Sequence, residues 1–154
     1  GFTPDEASFR AMSVRFMSAY EERKTECRLH PHAETLLDGL TAAGLTHSVL
    51  SAYERSLRTT TLTQYGLDRH FIKTCGGHDI HAGSKEERAR LHLSDLAHRP
   101  EDVIYIGDTA HDAEAAAAMG VDCVLAAHGH QHRERLQGLG VRVVDGFAEL
   151  LAEV

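Results

Sequence analysis

Four polar residues sit where strand-to-helix junctions would gather them. Ser51 follows the run Ser48-Val49-Leu50, and Lys85 opens a helical pattern. Asp108 ends the run from Val103 to Gly107, and Asp112 lies about one helical turn further on. A hydroxyl and an ammonium can hold phosphoryl oxygens, the lysine as a compact point charge. A carboxylate such as Asp108 is an oxygen ligand for Mg2+, which takes carboxylates, waters and substrate phosphate. Together these groups would neutralise the charge on a transferring phosphoryl group, most of what that reaction asks of a protein. Asp112 would hold a metal-bound water or orient Lys85. Each residue also has an ordinary explanation. A serine at a strand end is a common turn residue, a lysine at a helix start is commonly solvated, and an aspartate in a first turn suits the helix dipole. Their order along the chain is what points to phosphate and cation together.

The junctions come from an alternation of strand and helix patterns. Leu45 to Ser51 reads as a strand, Glu54 to Tyr65 as a helix stopped at Gly66, and Phe71 to Cys75 as a strand ended by Gly76-Gly77. Ser84 to Leu96 reads as a helix, with Ser84 and Glu87 spaced as a capping box. Val103 to Ile106 is apolar except for Tyr105, which predicts a strand buried on both faces. His111 to Met119 is helical and stops at Gly120; Cys123 to Ala126 and Val141 to Val144 are strands, and Phe147 to Ala152 closes the chain as a helix. Such alternation with short loops predicts an α/β, doubly wound parallel sheet of Rossmann-like form. Ligands of such sheets bind beyond the carboxyl ends of the strands, the edge that the four polar residues share. The N-terminal segment lies outside this alternation. Thr3-Pro4-Asp5-Glu6 has the form of a helix start capped by Thr3, followed by the stripe Phe9, Met12, Phe16, Met17 and Tyr20. Pro31 opens a second helix with Ala33, Leu36, Leu37 and Leu40 on one face, and Gly44 is placed for a left-handed stop.

Composition narrows the function classes. The 154 residues carry a formal charge of −7, which argues against a nucleic-acid or anionic-membrane surface. The longest apolar stretch, Ala115 to Ala127, is interrupted by Gly120 and Asp122 and falls far short of a membrane span. Cys27, Cys75 and Cys123 are odd in number and widely spaced, which suits a reducing cytoplasm.

Val103-Ile104-Tyr105-Ile106-Gly107-Asp108-Thr109-Ala110-His111-Asp112 resembles the fourth motif of the haloacid dehalogenase (HAD) superfamily, an apolar strand followed by GDxxxD. Ser51 resembles its second motif and Lys85, in Gly83-Ser84-Lys85, its third. Arg99-Pro100-Glu101-Asp102 is similar to the approach to that strand in phosphoglycolate-phosphatase-like members. The resemblance covers about residues 31–154. It implies a HAD-like core over 29–154 and a partial helical cap over 1–28. It further implies a Mg2+-dependent phosphatase that acts on a small phosphorylated metabolite through an aspartyl-phosphate. Ser51 and Lys85 would bind phosphate, Asp108 and Asp112 would serve the metal, and Ala52, Thr109 and His130 would line the site.

The first motif of that family, DxDxT after an apolar strand, does not occur here. Leu37-Asp38-Gly39-Leu40-Thr41 imitates it, yet its apolar spacing puts it mid-helix, it lacks the first aspartate, and it lies too close to Ser51 to leave room for a cap. Asp5 has no apolar strand before it. The family places the missing strand between those ending at Ser51 and Asp108. Without it those two strands are expected to show unpaired edges or to pair with each other. The expectation is a parent protein with a further N-terminal segment that supplies the nucleophile, and a 154-residue chain inactive by itself.

The rival reading is a catalytically inactive HAD fold acting as a binding or regulatory module. A phosphoacceptor receiver domain is disfavoured, because its acidic residues precede the hydroxyl and lysine. No GxGxxG follows a strand, which disfavours dinucleotide binding. His128-Gly129-His130-Gln131-His132 offers imidazoles, the commonest metal ligands. It lacks helical i, i+4 spacing and a Cys or Glu partner, so it reads as a polar loop leading into a helix. His30, His32, His78 and His81 read as surface residues, with a place near the site through Lys85 as the alternative for His78 and His81; Tyr53-Glu54-Arg55 reads as a helix start, with a substrate contact as its alternative.

Overall fold

A computed structural model of the chain describes residues 5–77 and 85–154. Thr3, Pro4, His78, His81 and Ser84, all assigned roles above, lie outside the described residues. The chain divides into two compact units, Gly1–His30 and Pro31–Val154.

The first unit is built on α1 (Glu6–Arg23), capped by Asp5, whose Oδ1 accepts the Ser8 N–H at 2.7 Å. Phe9, Met12, Phe16, Met17 and Tyr20 of its stripe are exposed.

The second unit is an α/β fold in which every strand pairing is parallel. It runs through α2 (Ala33–Ala42), β1 (His47–Glu54), α3 (Arg55–Gln64), β2 (Phe71–Gly77) and α4 (Lys85–Leu96). It continues with β3 (Ile104–Gly107), α5 (Ala110–Met119), β4 (Asp122–Ala126), α6 (Arg133–Gln137), β5 (Arg142–Val144) and α7 (Phe147–Leu151). Gly44, Gly66 and Gly120 follow α2, α3 and α5 at positive φ, where a side chain would be strained.

The strands form two groups, β1-β2 and β3-β4-β5, and β1 does not pair with β3 among the described residues. Helices cover both faces of β4. Val124 and Ala126 pack with Val144 against Leu36 of α2 and Leu150 of α7, while Leu125 points the other way onto Ala113 of α5 and Leu136 of α6. This alternation is what a doubly wound sheet requires. A further cluster joins Ala89 and Leu93 of α4 to Ala115, Ala116 and Met119 of α5, with Leu50 of β1 and Tyr105 of β3 against it. Helix α4 therefore bridges the two strand groups.

The expectation that β3 is buried on both faces is corrected. Ile104 is 64% and Ile106 41% exposed. Ile106 is in register with Val124, so these two side chains share the face that α2 and α7 cover on β4 and β5. Among the described residues that face of β3 stays partly open. An apolar strand face records a demand for cover; it does not supply the cover.

Candidate active site

The ladder between β1 and β2 is regular through Leu50 and Cys75, then shifts before Glu54 meets Gly77. Ser51 stands at this break. The expected strand end is thus an irregular end, and the strand itself runs three residues further, to Glu54. The Ser51 hydroxyl accepts the Tyr53 N–H at 3.1 Å. Ala52 beside it is exposed. Glu54 caps α3 by accepting from Ser56 and Leu57 N–H at 3.0 and 3.2 Å, so Tyr53-Glu54-Arg55 is a helix start.

Asp112 organises the opposite wall. It is 7% exposed. Its Oδ1 accepts from Lys85 Nζ at 2.7 Å and from the Tyr105 hydroxyl at 3.1 Å. Its Oδ2 accepts the N–H groups of Asp108 and Thr109, at 3.1 and 3.0 Å, and the Thr109 hydroxyl at 2.7 Å. Burial opposes its ionisation, but the bonds from Lys85, Thr109 and the Asp108 N–H outweigh it and hold the carboxyl below its ordinary range. The negative charge acts in turn on its neighbours. Burial first, then Asp112, raises the Tyr105 phenol, and the same two causes push the Cys123 thiol up to about 11.

Asp108 is half-buried at the carboxyl end of β3. Its Oδ2 accepts the His130 N–H at 2.8 Å and stands 2.6 Å from His130 Nδ1. Two glycines allow this packing. A Cβ on Gly129 would collide with the Asp108 side chain, and one on Gly107 would stand 2.8 Å from Asp112 Oδ2. The loop is further held by Gln131, whose Oε1 accepts the Ala110 N–H at the start of α5.

Lys85, Asp112 and Thr109 are thus brought into one network, with Asp108 bonded to it through its N–H and His130 to Asp108. Ser51 makes no hydrogen bond to Lys85, Asp108 or Asp112 among the described residues. Asp38 lies within α2 with an exposed side chain, 3.7 Å from His70 Nε2, away from this network. The imidazole of His128 packs edge-on against Phe147, with ring centroids 4.7 Å apart. His132 precedes α6 without capping it through its side chain. Among the described residues no three His, Cys, Asp or Glu side chains group to hold a metal ion.

Sequence reasoning missed Tyr105, Gln131 and Arg58. Tyr105 carried a signal, as the one polar group in an apolar strand. Arg58 carried none. It is buried, and its Nη1 donates to the Tyr53 carbonyl at 3.0 Å. It lies against the ends of β1 and β2, where a Cβ on Gly76 would collide with it.

The sequence model of the haloacid dehalogenase-like hydrolases matches residues 3–126. This chain belongs to that family. It is 26% identical over 148 residues to phosphoglycolate phosphatase 1 of Pseudomonas aeruginosa, covering 95% of this chain and 54% of that protein. It is 29% identical over 116 residues to tyrosine-protein kinase PtkA of Mycobacterium tuberculosis, covering 75% of this chain and 40% of the kinase. The chain thus spans about half, or less, of the length of these relatives. A crystal structure of a predicted phosphoglycolate phosphatase from Haemophilus somnus superposes with a TM-score of 0.80 at 22% identity, over 97% of this chain and 68% of that one. At that identity the likeness shows the fold. The sequence thus resembles phosphoglycolate phosphatases of this family, and the fold is the doubly wound α/β fold of the solved neighbours.

Proposed function

We propose that this chain supplies the phosphate- and cation-binding edge of a Mg2+-dependent phosphatase for a small phosphate ester, and that the nucleophilic aspartate comes from outside these residues. The observation that carries this reading is the Lys85–Asp112–Asp108 network at the carboxyl ends of the strands. Asp112 has both oxygens engaged, which suits it to fixing Lys85 and the turn after β3. Asp108 has one oxygen engaged by His130, and its carboxylate suits a cation that takes one or two protein carboxylates together with water and phosphate. Bound there, Mg2+ would withdraw charge from a phosphoryl oxygen. Lys85 places a positive charge beside the same space, and Ser51 turns a hydroxyl toward the end of β1. Thr109, Ala52 and His130 line the approach.

A domain reading belongs to the same proposal. Residues 29–154 form a core lacking one central strand, and residues 1–28 part of a helical cap. Among the described residues β1 and β3 each have an unpaired side, and these sides with the exposed Ile104 and Ile106 support a further strand between them. A reducing, cytoplasmic setting suits three cysteines without a disulfide. No described helix is long and apolar enough to cross a membrane.

The absence of DxDxT favours a second reading, an inactive HAD fold that binds or regulates. Assays of p-nitrophenyl phosphate hydrolysis with Mg2+ separate the two. The 154-residue chain shows no turnover, and the same chain behind a strand ending in DxDxT hydrolyses the ester. Turnover by the chain alone overturns the external nucleophile. No turnover by the extended protein favours the binding module.

A further inference from the structure

Helix α4 carries Lys85 at its first residue and a buried histidine two turns later. His92 is 4% exposed. Its Nε2 lies 3.0 Å from the Ser48 hydroxyl of β1, and its Nδ1 has no hydrogen-bond partner among the described residues. A buried imidazole with an orphaned nitrogen is a poor choice for an apolar helix face, where leucine would carry no such cost. The bond to Ser48 is what the imidazole provides.

We propose that His92 is a positioning residue, whose bond to Ser48 fixes α4 along β1 and so sets Lys85 level with Ser51. This deepens the phosphate-site reading above, and its binding arm rests on that reading. Lys85, Ala89 and His92 fall on one face of α4, and Ala89 is fully buried. Lys85 stands about 10 Å along the helix from His92. Ser51 stands about 10 Å along the strand from Ser48. The two spacings match, so one cross-link at the Ser48–His92 level sets both side chains at the same height on the carboxyl edge. The neighbouring contacts are apolar, with Leu50 and Tyr105 packed against the cluster that Ala89 and Leu93 form with α5, and such contacts resist separation more than sliding. A directional hydrogen bond resists sliding. The charged groups facing the ring are Lys73 of β2, Arg58 of α3 and Asp95 of α4 itself. Lys73 and Asp95 pair with each other at 2.7 Å.

The test compares the full chain with His92→Gln, His92→Leu and Ser48→Ala. Orthophosphate binding in the presence of Mg2+ is read by phosphorus NMR, and amide hydrogen exchange is read over α4 and α5. His92→Leu and Ser48→Ala weaken orthophosphate binding by about tenfold or more and speed exchange in the first turns of α4 relative to α5. His92→Gln, whose amide reaches the same hydroxyl, stays within about twofold of the parent chain. Binding and exchange unchanged in His92→Leu, or in Ser48→Ala should the leucine variant fail to fold, overturn the proposal. So does loss in His92→Gln equal to that in His92→Leu. If the parent chain binds no orthophosphate, the phosphate-site reading fails and the exchange arm decides the positioning role by itself, unchanged α4 exchange overturning it.

Discussion

Asp112 accepts five hydrogen bonds, two on one oxygen and three on the other, and this division of labour decides what its neighbour can do. A carboxylate so engaged holds Lys85 and the turn of Thr109, and in the proposed function the cation falls to Asp108. The two aspartates should therefore respond differently to the same change. Asp108→Asn leaves thermal unfolding nearly unchanged and weakens Mg2+ binding by about tenfold or more in calorimetric titration. Asp112→Asn destabilises the chain by about 2–4 kcal/mol in urea unfolding, because Lys85 and several buried donors lose a charged partner. The folded carboxyl of Asp112 titrates below its ordinary value, so its contribution to stability is complete above the ordinary carboxylate range. It is lost as pH falls through the lower folded value. The GDxxxD spacing made both aspartates legible in the sequence. Their separate hydrogen-bond partners were not, because spacing shows that two carboxylates are near each other and not which donors each one meets.

Helices and turns were the most legible elements. The stops of α2, α3 and α5 fall at Gly44, Gly66 and Gly120, since a helix ends readily where a residue without Cβ takes positive φ. The end of β1 was less legible, because Ser51 sits at a ladder break inside a longer strand. The loop after β4 was legible as a polar loop, and the family resemblance put His130 beside the site, but the bond of that loop to Asp108 was not legible. Its contact with Asp108 depends on a glycine, and a missing Cβ says nothing about what fills its place. Gly129→Ala should push the loop away from Asp108 and shift the His130 imidazole resonances in NMR, with a loss of about 1–3 kcal/mol in stability. The α4–β1 contact brings its own pH dependence. Burial, and then Lys73, lowers the His92 pKa, and burial also lowers that of His47 at the start of β1. The unfolded chain then binds more protons than the folded chain just below the ordinary histidine range. Stability is complete above about pH 6.5 and falls as the pH drops toward the lower folded values, which urea unfolding across that window would show.

At the scale of the molecule, the strand alternation correctly predicted a doubly wound parallel fold, while the burial of β3 was over-read from its hydropathy. The exposed Ile104 and Ile106, beside strand sides unpaired among the described residues, should bind an apolar fluorescent dye, and Ile104→Thr with Ile106→Thr should reduce that fluorescence without unfolding the chain. The same open region is where a strand bearing a nucleophile would meet both Ser51 and Asp108. In the proposed function Lys85 and Asp108 together form a cation-dependent phosphate site. The most direct measurement is calorimetric titration of the chain with orthophosphate, with and without Mg2+, in the parent, Lys85→Met and Asp108→Asn forms. The expected result is binding that requires Mg2+ and is lost in both variants. Binding that is indifferent to Mg2+, or that survives both substitutions, would contradict it.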